Sequence, residues 1–365
     1  MSRLGPLYAA LAIFPLIAAG ALLPYVALRY RRQGSVGIGH LALAGVFALY
    51  LVGLALVVIL PLRPVTPDFC TLYGVDPEVN PLSILNEVRQ QRAESGLRSV
   101  IYNPDLQGTI LNVFLFVPMG LFVRHFLCRG FWLPVAIGFA ASLAIELTQL
   151  TGNWGIYPCA YRFFATLDLA TNTLGTAIGT IFAPLLVLVP GQDSPATANE
   201  PRAVRWQRRL LAAVCNAAAI AFTGLVLLAL SGLVLEVTRG QLLESDSARA
   251  HLLRAFALVV VPGLLVLLAV PLASRGRTPG EWAVLIEPAT LGAGAAAVSR
   301  DLIVLRFVTG HLPLLILAAV AVAGAAVAWI ALVLALAIHL VLLLQAKRFG
   351  PGVELRVGAR LIDSR

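Results

Sequence analysis

Six polar side chains in or beside apolar runs carry the chemistry of the first half of this sequence: Asn112, Glu146, Gln149, Arg162, Asp168 and Asn172. Glu146 and Gln149 are three residues apart, and Asp168 and Asn172 four, so each pair lies on one face of a helix. A carboxylate can act as a general base, an amide can donate and accept together, and a guanidinium can hold a phosphate or neutralise a carboxylate. Ionisable groups inside a membrane span are costly, which makes each a functional candidate by default. Arg162 is expected to pair with Glu146 or Asp168. Two readings stay open. The cluster is a structural hydrogen-bond joint between helices, or it lines a polar pocket open to the outer leaflet that takes a headgroup, a sugar or a peptide.

Other chemistries lack their residues. The sequence has no Ser/His/Asp arrangement, no Cys or His spacing of a metal site and no Walker-type glycine loop, so neither a metal nor a cofactor is expected. Its five histidines are scattered, and His339 reads as a packed or paired residue of an apolar run.

Membrane helices must position these side chains. Of 365 residues, 59% are apolar and 12% charged, and mean hydropathy is +0.88. Such figures exclude a disordered chain or a small disulfide scaffold, and they speak against a cytosolic enzyme or a soluble nucleic-acid binder. A span needs about 20 apolar residues. The runs are Leu7–Leu28, Leu41–Pro61, Thr109–Leu127, Trp132–Leu150, Leu169–Val189, Leu210–Val237, Leu252–Ala273 and Leu312–Leu344. The last, ~50 Å of helix at 1.5 Å per residue, is either one tilted helix or a hairpin turning near Gly324. The fold expected is an all-α, polytopic integral membrane helical bundle of eight or nine spans, in contact with membrane lipids and without a nucleic-acid partner.

The basic excess, 27 Lys and Arg against 18 Asp and Glu, orients those spans, because cytoplasmic loops hold the cations. Arg29, Arg31 and Arg32 follow the first run. They make it a span rather than a cleaved signal peptide and put the N-terminus outside the cell membrane. Loops 62–108, 151–166 and 238–251 are then outside. Arg124–Arg129, linker Pro190–Arg209, stretch Ser274–His311 and the basic tail are inside, which favours the hairpin and nine spans. Asn112, Glu146, Gln149, Asp168 and Asn172 then fall at similar depth near the outer headgroups, with Arg162 in the loop beside them.

The polar linker 190–209, cytoplasmic in this scheme, divides a membrane domain of residues 1–189 from a second of residues 210–365. Outer loop 62–108 is too long for a simple connection. Its middle, Ser83–Glu94, is expected as a short helix capped by Ser83 with Glu87 near the first turn. Cys70 and Cys159 both fall in outer loops, where disulfides persist; they form a bond or are two unrelated thiols. Cys128 falls inside and Cys215 within a span.

The polar residues also carry a resemblance. Asn112–Gly120, NVFLFVPMG, resembles the opening motif of the VanZ family. Glu146-Leu147-Thr148-Gln149 is similar to its Glu-x-x-Gln, and Arg162 with Asp168-x-x-x-Asn172-x-x-Gly175-x-x-x-Gly179 to its last motif. The resemblance covers about residues 11–189. Gly175 and Gly179 form a small-xxx-small pair suited to close packing, and Pro118 with Gly120 is expected to kink its span below Asn112. The founding member is associated with reduced susceptibility to the glycopeptide teicoplanin, and the family has no established reaction. The resemblance thus implies an envelope role. In the second half, Arg209-x-x-Ala212-x-x-x-Asn216 and Gly276–Glu281 resemble motifs of the RDD family over about residues 205–363. Asn216 and Glu281 replace that family's Asp and Lys, Arg300 matches its later arginine, and Glu354 and Gly358 its closing residues. Arg209, Arg277 and Arg300 are expected to gather at the inner face.

The function expected first is a VanZ-like envelope protein that binds a polar lipid or a lipid-linked or cell-wall-related ligand, without catalysis, and is linked to glycopeptide resistance. One alternative is a membrane enzyme on a lipid-linked substrate, with Glu146 or Asp168 as general base and Arg162 on a phosphate. Another is a small-ion transporter.

Overall fold

A computed structural model describes residues 5–60, 63–96, 102–127, 130–192, 203–239, 248–290, 298–349 and 359–364. Cys128, Arg129, Arg202, Glu354 and Gly358 lie outside them, as do the side chains of Ser83, Glu87 and His339. Among the described residues, eight helices are long and apolar enough to cross a membrane. The chain is a multi-pass membrane protein of all-α architecture.

In chain order the helices are α1 (Gly5–Gln33), α2 (Ile38–Ile59), α3 (Ser83–Ser95), α4 (Pro104–Leu127), α5 (Trp132–Leu150) and α6 (Thr166–Phe182). Then come α7 (Trp206–Arg239), α8 (His251–Ala273), α9 (Pro279–Ala283), α10 (Arg300–Val322) and α11 (Ala326–Phe349). The long apolar run near the end divides at Gly324, whose φ of +106° ends the first arm of a hairpin. Its first arm begins at Arg300, so part of the expected loop 274–311 is helix.

In α8 and α10 the helix widens to π turns at Phe256–Val260, Leu265–Ala269 and Phe307–His311. Each widening is followed two residues on by a proline: Pro262, Pro271 and Pro313. Proline has no N–H to give the carbonyl four residues back, and a local i→i+5 register accommodates the loss.

Two compact units emerge. One holds Gly37–Gln192, and the other holds Pro15–Val36 with the described residues from 203 onward. Most of α1 is therefore grouped with the second unit.

Within the first unit α6 presses directly on α4. A Cβ at Gly175 would strike the Val113 carbonyl, one at Gly179 the Val117 carbonyl, and one at Gly120 the Thr176 carbonyl. Small residues let the backbones meet, since apolar burial gives helices no drive to associate in lipid. Gly120 serves this contact, and α4 is one helix through Pro118. Leu54, Phe116, Met119 and Val123 form a core that joins α2 to α4, with Ile137 and Ile145 of α5 against it.

The loop between α2 and α4 folds as a cap on one end of this unit. Cys70 and Cys159 are disulfide-bonded, their Cα atoms 5.9 Å apart. Phe69 is fully buried among Tyr73, Tyr157 and Tyr161. Residues 75–79 run beside 160–166 as extended chain. The Glu78 N–H donates to the Phe164 carbonyl at 2.8 Å, and the Thr166 N–H donates to the Glu78 carbonyl at 3.1 Å. Helix α3 forms as expected, but Leu82 and not Ser83 holds the cap position. Asn80 is the reason: its Oδ1 accepts the Leu82 N–H at 3.1 Å, an Asx turn that sets the helix start one residue earlier.

The second unit has one small departure from all-helix. Strand β1 (Ile286–Thr290) pairs antiparallel with β2 (Ala359–Asp363), with Ile286 opposite Asp363.

Candidate functional site

The start of α6 organises the site. A helix N-terminus carries unpaired N–H groups and about half a positive charge, and two carboxylates answer it. Asp168 lies in the first turn of α6. Glu146 comes from α5, and its Oε2 accepts the N–H of Ala165, the cap residue of α6, at 3.0 Å. Glu146 is 1% exposed. The Asn112 side chain reaches from α4 to hydrogen-bond Asp168. One turn below Asp168, Asn172 donates through Nδ2 to Ser142 Oγ on α5 at 3.0 Å, and Ser142 is itself one turn from Glu146. Asn172 Oδ1 is buried and finds no donor among the described residues. Asn112, Glu146, Asp168 and Asn172 thus gather from three helices, at the end that bears the disulfide-tied cap.

Two of the six expected residues stand apart. Arg162 pairs with neither carboxylate. Its Nη1 donates to the Val57 carbonyl at 2.8 Å and its Nη2 to the Leu60 carbonyl. The end of α2 exposes carbonyls without helical partners and a partial negative charge, and these compete successfully for the guanidinium. Burial, and the neighbouring Arg63 after it, weaken Arg162's hold on its proton, a cost that the carbonyl bonds offset. Gln149 is half-buried, and its side chain makes no hydrogen bond among the described residues.

Sequence reasoning missed the residues that extend this face. Asp168, Asn172, Thr176 and Thr180 recur every four positions along α6, and Ser142 precedes Glu146 by four. That repeat was the available signal. Thr176 Oγ1 donates to the Asn172 carbonyl at 3.0 Å, and Arg124 Nη1 to the Thr180 carbonyl at 2.7 Å. A polar seam therefore follows α6 from the carboxylates to an arginine at the opposite end. Among the described residues, no group of three or more His, Cys, Asp or Glu side chains is arranged to hold a metal ion.

Residues 47–187 match the VanZ/LLP1 family model. The VanZ-like stretch takes in α4, α5, α6 and the cap, and so every residue of the cluster. It leaves out α1 and the whole second unit. Searches of curated proteins and of solved structures give no match.

Beyond the VanZ-like stretch, a second polar cluster sits in the other unit. Asn216 of α7 donates through Nδ2 to Thr278 Oγ1 at 3.0 Å and accepts the Gly280 N–H through Oδ1 at 2.7 Å. Thr278 and Glu281 cap α9 reciprocally, and Glu281 is ion-paired with Arg306 of α10. Burial pushes the Glu281 carboxyl up, but the Arg306 guanidinium overrides it, and the Thr278 N–H and His311 add to the effect; the carboxyl ends below its usual range. Among the arginines expected at the inner face, the surroundings of Arg300 and Arg277 differ. Arg300 is exposed and bonds to none of these groups, and Arg277 stands 3.9 Å from Glu287. Arg208 is the buried arginine of α7, donating to the Val284 carbonyl at 2.7 Å and to Asp363 at 2.8 Å. The family match ends before this region, so the RDD resemblance rests on its motif residues alone.

Proposed function

We propose that the VanZ-like stretch binds a polar envelope ligand, a lipid headgroup or a cell-wall-related group, at the capped end of α4–α6 and at the outer leaflet of the cell membrane. The observation that carries this reading is the convergence of Asn112, Glu146, Asp168 and Asn172 there, with Asn172 Oδ1 left without a donor. A joint that served packing alone would fill its own acceptors. The disulfide of the cap supports an extracytoplasmic position, since such bonds persist in oxidising compartments. The VanZ-like match supports a link to glycopeptide susceptibility. Arg162, which a phosphate-holding enzyme site would need, is committed to α2, and this weighs against the lipid-linked enzyme. The second unit, whose RDD-like residues Asn216, Thr278, Gly280 and Glu281 form one joint, is read as an anchor.

Glu146→Gln and Asp168→Asn test the reading. At matched membrane abundance each is expected to abolish any protection against teicoplanin that the wild-type chain confers. Unchanged protection in both variants refutes it.

A further inference from the structure

We infer that the ligand of this site presents a protonated amine, and that the site disfavours groups whose only charge is negative. The inference rests on the binding role proposed above and names the chemistry of its ligand. Its first support is a charge imbalance. Glu146 and Asp168 both stand at the start of α6, whose N-terminus supplies only about half a positive charge against them. The cation that sequence spacing offers as their partner, Arg162, is held by the carbonyls of Val57 and Leu60. The partners the two carboxylates do have are neutral: the Ala165 N–H and the Asn112 side chain. Its second support is independent of charge. Asn172 is 4% exposed, it sits one turn below Asp168 against the same helix as Glu146, and its Oδ1 has no donor. A buried acceptor without a donor is costly, and an ammonium, with three N–H groups and no acceptor, complements two carboxylates and one amide oxygen. A transition-metal ion is the poorer candidate, because among the described residues no group of three or more His, Cys, Asp or Glu side chains is arranged to hold one. The amine is carried either by a membrane lipid or by a soluble molecule.

Lipid binding by the purified full chain in detergent, measured by native mass spectrometry, decides. The probes are phosphatidylethanolamine, its N-acetyl derivative and phosphatidylglycerol, with free ethanolamine as competitor. Phosphatidylethanolamine is expected to bind at least tenfold tighter than the other two. Glu146→Gln and Asp168→Asn keep an acceptor oxygen for Ala165 and Asn112 while removing charge, and each is expected to erase that preference. Competition by free ethanolamine supports a soluble amine; failure to compete, with the preference intact, supports a bilayer-borne one. Equal or tighter binding of phosphatidylglycerol or the N-acetyl lipid, lost in Asp168→Asn, overturns the amine and leaves the binding role standing. Binding of all three lipids that ignores both substitutions overturns the two together.

Discussion

One methyl group added to α6 at Gly179 is expected to unfold the VanZ-like region, whereas the same methyl added to α4 at Gly108 should stabilise it. At Gly179 the new Cβ meets the Val117 carbonyl and the Leu121 N–H of α4, which are backbone and cannot rotate away. The two helices must separate, and separation strips the contacts that hold them, at a cost of about 3 kcal/mol or more. Nothing lies within 4 Å of a Cβ at Gly108, so Gly108→Ala should give only the helix-propensity gain of about 0.5–1 kcal/mol. Thermal unfolding of both variants in one detergent, followed by the fraction eluting as a dispersed particle, checks the opposite signs. A Gly179→Ala variant as stable as the parent would mean that α4 and α6 are not in backbone contact.

Arg306→Ala should be the most damaging change in the second unit. It leaves the Glu281 carboxylate buried beside Thr278 and Asn216 without its cation, and breaking a buried pair from one side costs about 3–5 kcal/mol. The loss depends on pH. In the wild-type chain Glu281 has a depressed folded pKa, so the pair contributes fully above the unfolded value of about 4.3. That contribution disappears as pH falls through the lower folded value. With the guanidinium gone, burial, the largest influence on the carboxyl, is opposed only by the Thr278 N–H and His311, and the folded pKa is expected to rise. The variant then recovers stability as pH falls toward and below about 4, where protonation removes the buried charge. Melting temperatures of the two proteins, far apart at neutral pH, should therefore converge at acidic pH. Glu281→Gln combined with Arg306→Ala should restore part of the loss at neutral pH.

What the sequence made legible follows from the range of each interaction. Spans announce themselves through long apolar runs, and the turn at Gly324 through a glycine in a run too long for one crossing. The common layer of Asn112, Glu146, Asp168 and Asn172 follows from helical spacing and alternating span direction, but which of them pair does not. Arg162 was misplaced because its partners are carbonyls at a helix end, groups that every sequence contains and no side-chain pattern marks. Arg306 and Glu281 are 25 residues apart across a stretch that reads as loop, so nothing local joins them. Strands β1 and β2 have five residues each and pair across most of the second unit, which leaves no periodic signal to find.

The account stands on the capped end of α4–α6 facing out of the cell. Single cysteines at Tyr102, which is 69% exposed just before α4, and at Trp132, which is 79% exposed at the opposite end of α5, measure this directly in a Cys128→Ser background. A membrane-impermeant maleimide is predicted to label the Tyr102→Cys protein in intact cells and the Trp132→Cys protein only after permeabilisation. Labelling in the reverse order would turn the carboxylates toward the cytoplasm and contradict the outer-leaflet site.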